Sequence, residues 1–324
     1  MQYVYGPMLS RRLGQSLGVD LIPLKTCNWN CVYCQLGRTV PLSNERKDFF
    51  PPEDILKEVK TAFKTYKSFQ IDWIAIVGSG EPLLCKSIGW LIQQFRMMTK
   101  IPIAVITGGS LFYRPEARHD VALADAVLPT LNAGSPELYK RISRPHPEIT
   151  FEKYVEGLVK LGEEYRGHLW PEVMLIKGLN DTEDALQDIA CVLQRIRCDE
   201  IHINLPVRPP AESWVQPSDE EGLIRAMVIL GDKAHVIRPV NENTVRHNYE
   251  TWTDTVTSIV SRHPLREEEV TNMLSHFTSR KSDTILDEIK SSGNVQIIER
   301  YGRRFWCAAD ARYSPRANIH QGVY

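Results

Sequence analysis

Residues Lys25–Gly37 read KTCNWNCVYCQLG and place three cysteines, Cys27, Cys31 and Cys34, in one short loop at spacings of four and three. Thiolates are soft ligands that suit iron–sulfur clusters or zinc, and both usually take four ligands. Residues 35–44 supply no further cysteine or histidine, so a closed zinc site lacks its fourth ligand. The pattern favours a [4Fe–4S] cluster with one iron left open for a small molecule, over the alternative of three ordinary buried cysteines.

The loop resembles the signature of radical S-adenosylmethionine (SAM) enzymes, a C-x3-C-x2-C pattern with an aromatic residue, here Tyr33, before the third cysteine. The resemblance implies two cofactors, a [4Fe–4S] cluster and SAM, whose amino and carboxylate groups chelate the open iron. It also implies an external electron donor of the flavodoxin or ferredoxin type. Reduction would then split SAM into methionine and a 5′-deoxyadenosyl radical that abstracts hydrogen from a substrate.

The chain of 324 residues is long enough for one large α/β domain and a small module. Its formal net charge of -1 excludes a global attraction to nucleic acid or anionic lipid. It begins without the apolar core of a signal peptide and has no apolar run near the roughly 20 residues of a membrane-spanning helix, so we expect a cytoplasmic protein with no membrane partner. Four scattered cysteines predict core packing rather than disulfides or a second cluster: Cys85, Cys191, Cys198 and Cys307.

Helix-like and strand-like segments alternate after the loop. Ile55, Val59 and Phe63 recur at helical spacing behind two prolines, and residues 71–78 form an apolar run of strand length. Further strands are predicted within residues 101–109, 124–134, 169–181 and 200–212, with helices between them. This alternation is typical of right-handed βαβ units around a parallel sheet. It predicts an α/β fold, a partial (β/α)6 barrel of the radical SAM type.

Polar residues follow the predicted strands, where ligands gather in parallel α/β folds. They are Glu81, Thr107, Asn132, Lys177 and Asn204. The turn Gly78–Pro82 resembles the Gly-Gly-Glu-like motif that grips the amino group of SAM in radical SAM enzymes, with Ser79 in place of one glycine. Each strand-end residue alone could be a simple cap. Together they predict a cofactor surface made of Tyr33, Gly80, Glu81, Thr107, Asn132 and Lys177.

Further blocks resemble a family of short archaeal and bacterial radical SAM proteins grouped near the wybutosine-synthesising tRNA enzymes. The resemblance covers roughly residues 5–240 and includes ISRPHP at 142–147 and VRPPAE at 207–212. It leaves the substrate open, with RNA or a peptide or protein favoured. The wybutosine enzymes hold a second cluster on cysteines upstream of the main motif. Residues 1–26 contain none, which argues against that particular activity.

Four charged residues in these blocks are candidates for substrate contact: Arg144, His146, Arg208 and Glu212. Nearby prolines restrict the backbone, and a stiff frame of this kind suits the orientation of a substrate against a radical. The alternative is a rigid turn or a linker. Arg11 and Arg12 pose a similar choice, between a solvated entry loop and cations that face a carboxylate-bearing cofactor.

The alternation stops after residue 245, and three short helices precede a hairpin around Tyr301-Gly302-Arg303. These elements resemble a winged-helix module. We therefore predict a barrel at 1–245, a winged-helix-like module at 252–310 and a poorly ordered tail at 311–324. Because the predicted cofactor residues all precede the break, we expect cofactor cleavage to survive removal of the module.

Basic residues in the second module are concentrated only in the hairpin, at Arg300, Arg303 and Arg304. A DNA-reading domain usually has a stronger basic face, so a lid or a protein-docking module is favoured over nucleic-acid binding. The alternative function is a redox-sensing regulator, in which the cluster is the sensor and the module binds DNA.

Overall fold

The computed structural model describes residues 2–66, 70–237, 252–277 and 282–315. Its strands are β1 Val4–Ser10, β2 Gly14–Val19, β3 Trp73–Ile76, β4 Ile103–Thr107, β5 Ala126–Pro129, β6 His168–Leu169, β7 Glu172–Met174, β8 Ile201–Asn204, β9 Ala234–Val236, β10 Leu265–Arg266, β11 Val295–Arg300 and β12 Arg303–Ala308. Its helices are α1 Pro52–Thr65, α2 Ile88–Met98, α3 Pro115–Asp120, α4 Pro136–Ser143, α5 Phe151–Glu164, α6 Glu183–Leu193, α7 Glu220–Leu230, α8 Trp252–Val260, α9 Glu267–Phe277 and α10 Ser282–Ser291.

Two parallel arrays of strands organise the larger part of the chain. Strands β1 to β6 form one sheet in chain order, in which β1 is antiparallel to β2 and every later pair is parallel. Strands β7, β8 and β9 form a second parallel sheet, and a parallel bridge between Thr130 and Glu172 links the two. The predicted α/β class with a parallel sheet is confirmed. Closure into a six-unit partial barrel stays a prediction.

The two faces of the first sheet bury different side chains. Ile74 on the outer face belongs to the main core, which the helices share. On the other face Ala75, Ala104 and Ala126 lie side by side in register, and Leu13 belongs to the same small cluster. Side chains alternate between the two faces along a strand, so β3, β4 and β5 each contribute residues to both clusters.

A helix cap decides between two sequence alternatives at the start of α6. The sequence allows either Asp181 or Thr182 as the cap, and the Thr182 hydroxyl accepts the hydrogen bond from the Ala185 N–H. Asp181 instead accepts hydrogen bonds from the Gly178 N–H and the Ser218 hydroxyl. It therefore fixes the loop after β7 rather than the helix.

The C-terminal module has a core of its own. Its described elements run in the order α8, β10, α9, α10, β11, β12, and its antiparallel sheet has the order β10-β12-β11. The hairpin turns at Tyr301 and Gly302, which both have positive φ angles of 53° and 68°, as a two-residue turn of this type requires. Three helices and a hairpin were predicted, whereas β10 was not. The predicted domain boundary at residue 245 lies outside the described residues.

Two sequence-based expectations are wrong. Cys191 was expected in the core but is exposed, on α6. Residues 311–315 were expected to be poorly ordered, but Ser314 is buried and its N–H donates to the Ala211 carbonyl at 2.8 Å. The rest of the predicted tail lies outside the described residues. In the part of the chain that the structure describes, no helix combines the length and the apolar character needed to cross a membrane.

Candidate functional site

The cysteine loop follows β2, and an ammonium group lies against its third cysteine. The Lys25 Nζ lies 3.2 Å from the Sγ of Cys34. Burial alone would lower the pKa of Lys25, but Cys34, Cys27 and Cys31 together raise it. The side chain of Lys25 therefore contacts Cys34 and lies within electrostatic reach of Cys27 and Cys31, and each cysteine is half-buried.

Backbone hydrogen bonds hold the loop in this form. The Cys34 N–H donates to the Cys31 carbonyl at 3.1 Å, and the Val32 N–H donates to the Ile142 carbonyl at 2.9 Å. The Tyr33 hydroxyl hydrogen-bonds to Cys31, and burial together with the nearby thiols raises the pKa of Tyr33 well above its ordinary value. The aromatic residue of the sequence pattern thus contacts a cysteine directly.

The cysteine loop offers three thiols, a set of soft donors whose chemistry suits an iron–sulfur cluster. Among the described residues, no group of three or more His, Cys, Asp or Glu side chains is arranged to hold one metal ion. Burial raises the pKa of the Cys27 thiol to about 12, so this thiol needs a metal to become a thiolate at neutral pH. Three soft donors in one loop suit a cluster that would take them as ligands and leave one iron without a protein ligand.

The Gly78–Pro82 turn lies directly against the cysteine loop. The Lys25 N–H donates to the Ser79 carbonyl at 2.7 Å, and the Glu81 N–H donates to the Thr26 carbonyl at 3.0 Å. A Cβ atom on Gly80 would lie 1.8 Å from that same carbonyl oxygen of Thr26. Only glycine allows this approach, because it carries no Cβ atom. The turn can therefore lie directly against the cysteine loop.

The Glu81 side chain makes three hydrogen bonds that the sequence did not indicate. Its buried carboxylate accepts hydrogen bonds from the Thr107 hydroxyl at 2.5 Å, the Gly108 N–H at 2.8 Å and the Leu83 N–H at 3.0 Å. Burial raises the pKa of Glu81, and these hydrogen bonds oppose that rise. The side chain therefore ties the end of β3 to the end of β4, while the backbone of the turn faces the loop.

Two buried amide side chains at other strand ends keep unused polar atoms. Asn132, after β5, accepts a hydrogen bond from the Met174 N–H at 2.7 Å through Oδ1. Its Nδ2 and the Oδ1 of Asn204 are buried without a hydrogen-bond partner among the described residues. Lys177 differs, because its ammonium pairs with Asp219 at 2.9 Å and both side chains are more than half exposed. Lys177 thus contacts the cap of α7 and no residue of the cysteine loop in the described contacts.

The structure brings two of the four charged candidates together. Glu212 is buried and accepts a hydrogen bond from Arg144 at 2.5 Å. Arg38, which sequence reasoning missed, holds the same carboxylate in a bidentate pair at 3.0 and 2.8 Å. The Glu212 N–H also donates to the Val32 carbonyl at 3.0 Å. These contacts form a clamp, Arg38–Glu212–Arg144, that holds the loop after β8 against the cysteine loop.

The other two candidates have separate places. The His146 N–H donates to the Asn28 carbonyl at 2.8 Å, so the backbone of His146 contacts the residue that follows the first cysteine of the loop. Arg208 makes a bidentate pair with Glu269 of α9, in which Nη2 lies 3.0 Å from Oε1. Arg208 is therefore a contact between the β8 loop and the C-terminal module.

Sequence reasoning also missed Asp20, which lies just after β2. Its Oδ2 accepts a hydrogen bond from the Ser79 hydroxyl at 2.6 Å and its Oδ1 accepts one from the Ser79 N–H at 3.1 Å. Arg262 of the C-terminal module donates from Nε to the same Oδ2 at 3.0 Å. The available signal in the sequence was an aspartate at the end of the strand that leads into the cysteine loop.

Known proteins are similar to this chain over the part that contains the cysteine loop and the Gly78–Pro82 turn. A sequence model of the Radical SAM superfamily matches residues 21–189. A UPF0026 protein of Methanocaldococcus jannaschii is 31% identical over 313 residues, which cover 94% of this chain and 96% of that protein. A protein named GTPase Obg, of Brachyspira hyodysenteriae, is 38% identical over 223 residues, which cover 69% of this chain but 32% of the relative's length.

Solved structures of similar shape include two with low sequence identity. A radical SAM methyltransferase of Sphaerobacter thermophilus has a TM-score of 0.49 and 17% identity, covering 68% of this chain and 66% of that chain. TYW1 with a bound lysine–pyruvate adduct has a TM-score of 0.46 and 13% identity, covering 93% of this chain and 83% of that chain.

Proposed function

Because this chain belongs to the radical SAM superfamily, we propose that it is an enzyme that cleaves S-adenosylmethionine reductively at a [4Fe–4S] cluster. The observation that carries the proposal is the packing of the cysteine loop against the Gly78–Pro82 turn, with Gly80 in contact with the Thr26 carbonyl. When bound, the cluster and SAM would supply a 5′-deoxyadenosyl radical that abstracts hydrogen from the substrate. The substrate itself is RNA or a peptide or protein in this proposal.

The residues of the loop have separate roles in the proposal. Cys27, Cys31 and Cys34 would hold the cluster. The Tyr33 hydroxyl would orient Cys31 through its hydrogen bond. Lys25 would offset the negative charge of the bound thiolates, because its ammonium lies within electrostatic reach of all three cysteines.

The cofactor would lie over the strand ends next to the loop. Backbone groups around Gly80 would face its amino group, and the unused Nδ2 of Asn132 offers a buried donor. Glu81 and Thr107 would support this surface through their mutual hydrogen bond. Lys177 is supported less well as a cofactor residue than Gly80 or Asn132, because its ammonium forms an exposed ion pair with Asp219.

Two architectural assignments belong to the same proposal. The bridge between Thr130 and Glu172 supports a partial (β/α)6 barrel from β2 to β8, with β6 and β7 as one interrupted strand, within residues 1–245. The described order of helices and strands in the C-terminal module supports a winged-helix-like fold for residues 252–310. An electron donor of the flavodoxin or ferredoxin type would reduce the cluster.

The alternative of a DNA-binding redox regulator gains no support. The hairpin arginines face glutamates of α9: Arg304 pairs with Glu267 at 3.0 Å and Arg303 lies 3.7 Å from Glu268. Such pairing reduces the positive charge available to phosphate groups.

Anaerobic reconstitution with iron and sulfide, followed by dithionite and SAM, tests the proposal. We expect 5′-deoxyadenosine on chromatography, and none when dithionite is left out. Reconstituted protein that binds the cluster but yields no 5′-deoxyadenosine under reduction would contradict the proposed reaction.

A further inference from the structure

Basic side chains from three parts of the chain meet between the first sheet and the C-terminal module. Arg11 and Arg12 lie in the turn between β1 and β2, Arg208 follows β8, and His263 follows α8. Burial first, and then Arg12 and Arg208, lower the pKa of Arg11 to about 10, while Glu172 opposes this fall. Burial and the three arginines lower the pKa of His263 well below its ordinary value. The four groups are therefore within electrostatic reach of one another.

One member of this basic group, His263, contacts the cysteine loop directly. Met8 of β1 packs against the core of the module, and the Arg262 guanidinium lies 5.3 Å from the ring centre of Tyr5. The Nδ1 of His263 lies 3.5 Å from the Nε2 of Gln35, the residue after the last cysteine of the loop. His263 thus links the basic group to the cysteine loop.

The carboxylates nearby do not balance the three arginines. Arg12 forms an ion pair with Glu172, and Arg208 forms one with Glu269. Arg11 forms no ion pair of its own among the described residues, although the Glu172 carboxylate that binds Arg12 also acts on it. The Arg11 Nη1 is buried there without a hydrogen-bond partner. Three guanidinium groups therefore share two carboxylates, Glu172 and Glu269.

A buried guanidinium donor without an acceptor is unfavourable, and native proteins rarely keep one without a use. We propose that Arg11, with Arg12 and Arg208 beside it, binds an anionic group of the substrate, a phosphate or a carboxylate. The planar guanidinium matches both anions through paired hydrogen bonds. The inference rests on the proposed function for the reaction that the bound molecule would undergo, but anion binding itself does not depend on that reaction.

The carboxylate of SAM is the other anion that the proposed function brings to this protein. The residues proposed to hold SAM lie in the loop after β2 and at the ends of β3, β4 and β5. The charged neighbours of Arg11 lie instead in the turn before β2, on β7 and after β8: Arg12, Glu172 and Arg208. The basic group is therefore assigned to the substrate.

Calorimetric titration of the reconstituted protein with inorganic phosphate and, separately, with acetate tests this assignment. We expect wild-type protein to bind at least one anion with a Kd of about 10 mM or tighter. Arg11→Met should weaken that binding about tenfold or more, the loss expected for a charge-assisted hydrogen bond. Stronger binding of phosphate indicates a phosphoryl group on the substrate, and stronger binding of acetate indicates a carboxylate.

Arg195→Met is the matched control, because Arg195 is an exposed arginine after α6, and it should bind both anions as wild type does. Without anion, Arg11→Met should melt at the wild-type temperature or above it, since the change removes a charge that forms no ion pair of its own. If Arg11 were purely structural, the substitution would lower the melting temperature.

Equal anion binding by Arg11→Met and wild type, or no binding by wild type, overturns the proposal. Loss of SAM binding in Arg11→Met overturns it too, by assigning Arg11 to the cofactor. Absence of 5′-deoxyadenosine with intact Arg11-dependent anion binding contradicts the proposed reaction alone.

Discussion

Arg262 donates a hydrogen bond from Nε to the Oδ2 of Asp20 over 3.0 Å, and it thereby joins the C-terminal module to the strand that leads into the cysteine loop. The Asp20 side chain is 3% exposed and also holds the hydroxyl and N–H of Ser79. The glycine-rich turn, the strand before the cysteines and the module therefore share one buried carboxylate.

Breaking this ion pair should destabilise the protein. Arg262→Met leaves the buried Asp20 carboxylate without its cation, and the removal of one partner from a buried pair costs about 3 kcal/mol. We expect a lower midpoint of urea unfolding by about that free energy. The double variant Asp20→Asn, Arg262→Met should recover part of the loss, because no unpaired charge remains. If the double variant is less stable than Arg262→Met alone, the pair is not the source of the effect.

Iron analysis tests the number of clusters. Three cysteines share the loop, whereas Cys85, Cys198 and Cys307 are buried apart from it and Cys191 is exposed. Anaerobically reconstituted protein should therefore contain about four iron and four sulfide per chain, the content of one [4Fe–4S] cluster. A content near twice that value would reveal a second site.

Cys31→Ala should remove cofactor cleavage but leave the fold largely intact. Alanine cannot ligate iron, while the loop is held by backbone hydrogen bonds that alanine also makes. We expect loss of the cluster absorbance and of 5′-deoxyadenosine, with an unchanged circular dichroism spectrum. Cys191→Ala, at an exposed cysteine on α6, is the control and should keep both. Cleavage by Cys31→Ala at the wild-type rate would exclude this residue as a ligand.

Gly80→Ala should separate the glycine-rich turn from the cysteine loop. The new Cβ would lie 1.8 Å from the Thr26 carbonyl oxygen, so the backbone must shift. Overpacking of this kind costs about 1–3 kcal/mol, and we expect a marked fall in SAM binding along with it. Gly178→Asn is the control, because a Cβ there meets nothing within 4 Å and asparagine tolerates the positive φ angle. Undiminished SAM binding by Gly80→Ala would contradict the proposed cofactor surface.

The clamp around Glu212 predicts a pH-dependent contribution to stability. Burial alone would raise the pKa of Glu212, but Arg38 and Arg144 lower it below its ordinary value of 4.5. A lowered pKa in the folded state stabilises the protein above the unfolded-state pKa and ceases to do so as the pH falls through the folded-state value. Because the arginines are 41% and 38% exposed, we expect Glu212→Gln to cost only about 2 kcal/mol at neutral pH.

Urea unfolding of metal-free wild type and Glu212→Gln at several pH values measures this contribution. The difference in unfolding free energy between the two proteins should be constant near neutral pH and shrink below about pH 4.5. A difference that does not change with pH would mean that the clamp acts through packing rather than through charge.

The sequence predicted those features that depend on local patterns. Helical and strand periodicity located the elements, and the cysteine spacing located the loop with Tyr33 in it. The hydrogen bond of Tyr33 to Cys31 was not predicted. Contacts between distant residues left no such pattern. Arg144 and Glu212 are 68 positions apart, and nothing near either residue indicates the other. Lys177 follows a strand as predicted, but its long side chain reaches the acidic cap of α7 instead of the loop.

C-terminal residues contact the cysteine loop. These contacts argue against the expectation that cofactor cleavage survives removal of the module. The Tyr313 hydroxyl donates to the Gln35 carbonyl at 2.6 Å, and the Arg38 N–H donates to the Arg312 carbonyl at 2.6 Å. The Gln35 side chain also donates to the Arg262 carbonyl at 3.3 Å. The composition break in the sequence could not show these contacts, since they join residues more than two hundred positions apart. We now expect removal of residues 252–324 to weaken cluster incorporation and cofactor cleavage together.

Three variants test whether the C-terminal module supports the cysteine loop or serves substrate binding alone. Deletion of residues 252–324 should lower both the iron content after reconstitution and the yield of 5′-deoxyadenosine. Tyr313→Phe, which removes a single hydroxyl, should lower the yield less, since one hydrogen bond contributes only about 1 kcal/mol. Deletion of residues 316–324, which begins beyond Tyr313, is the control and should leave both values unchanged. Full iron content and full cleavage in the large deletion would show that the loop holds its form without the module, and that the module serves another step.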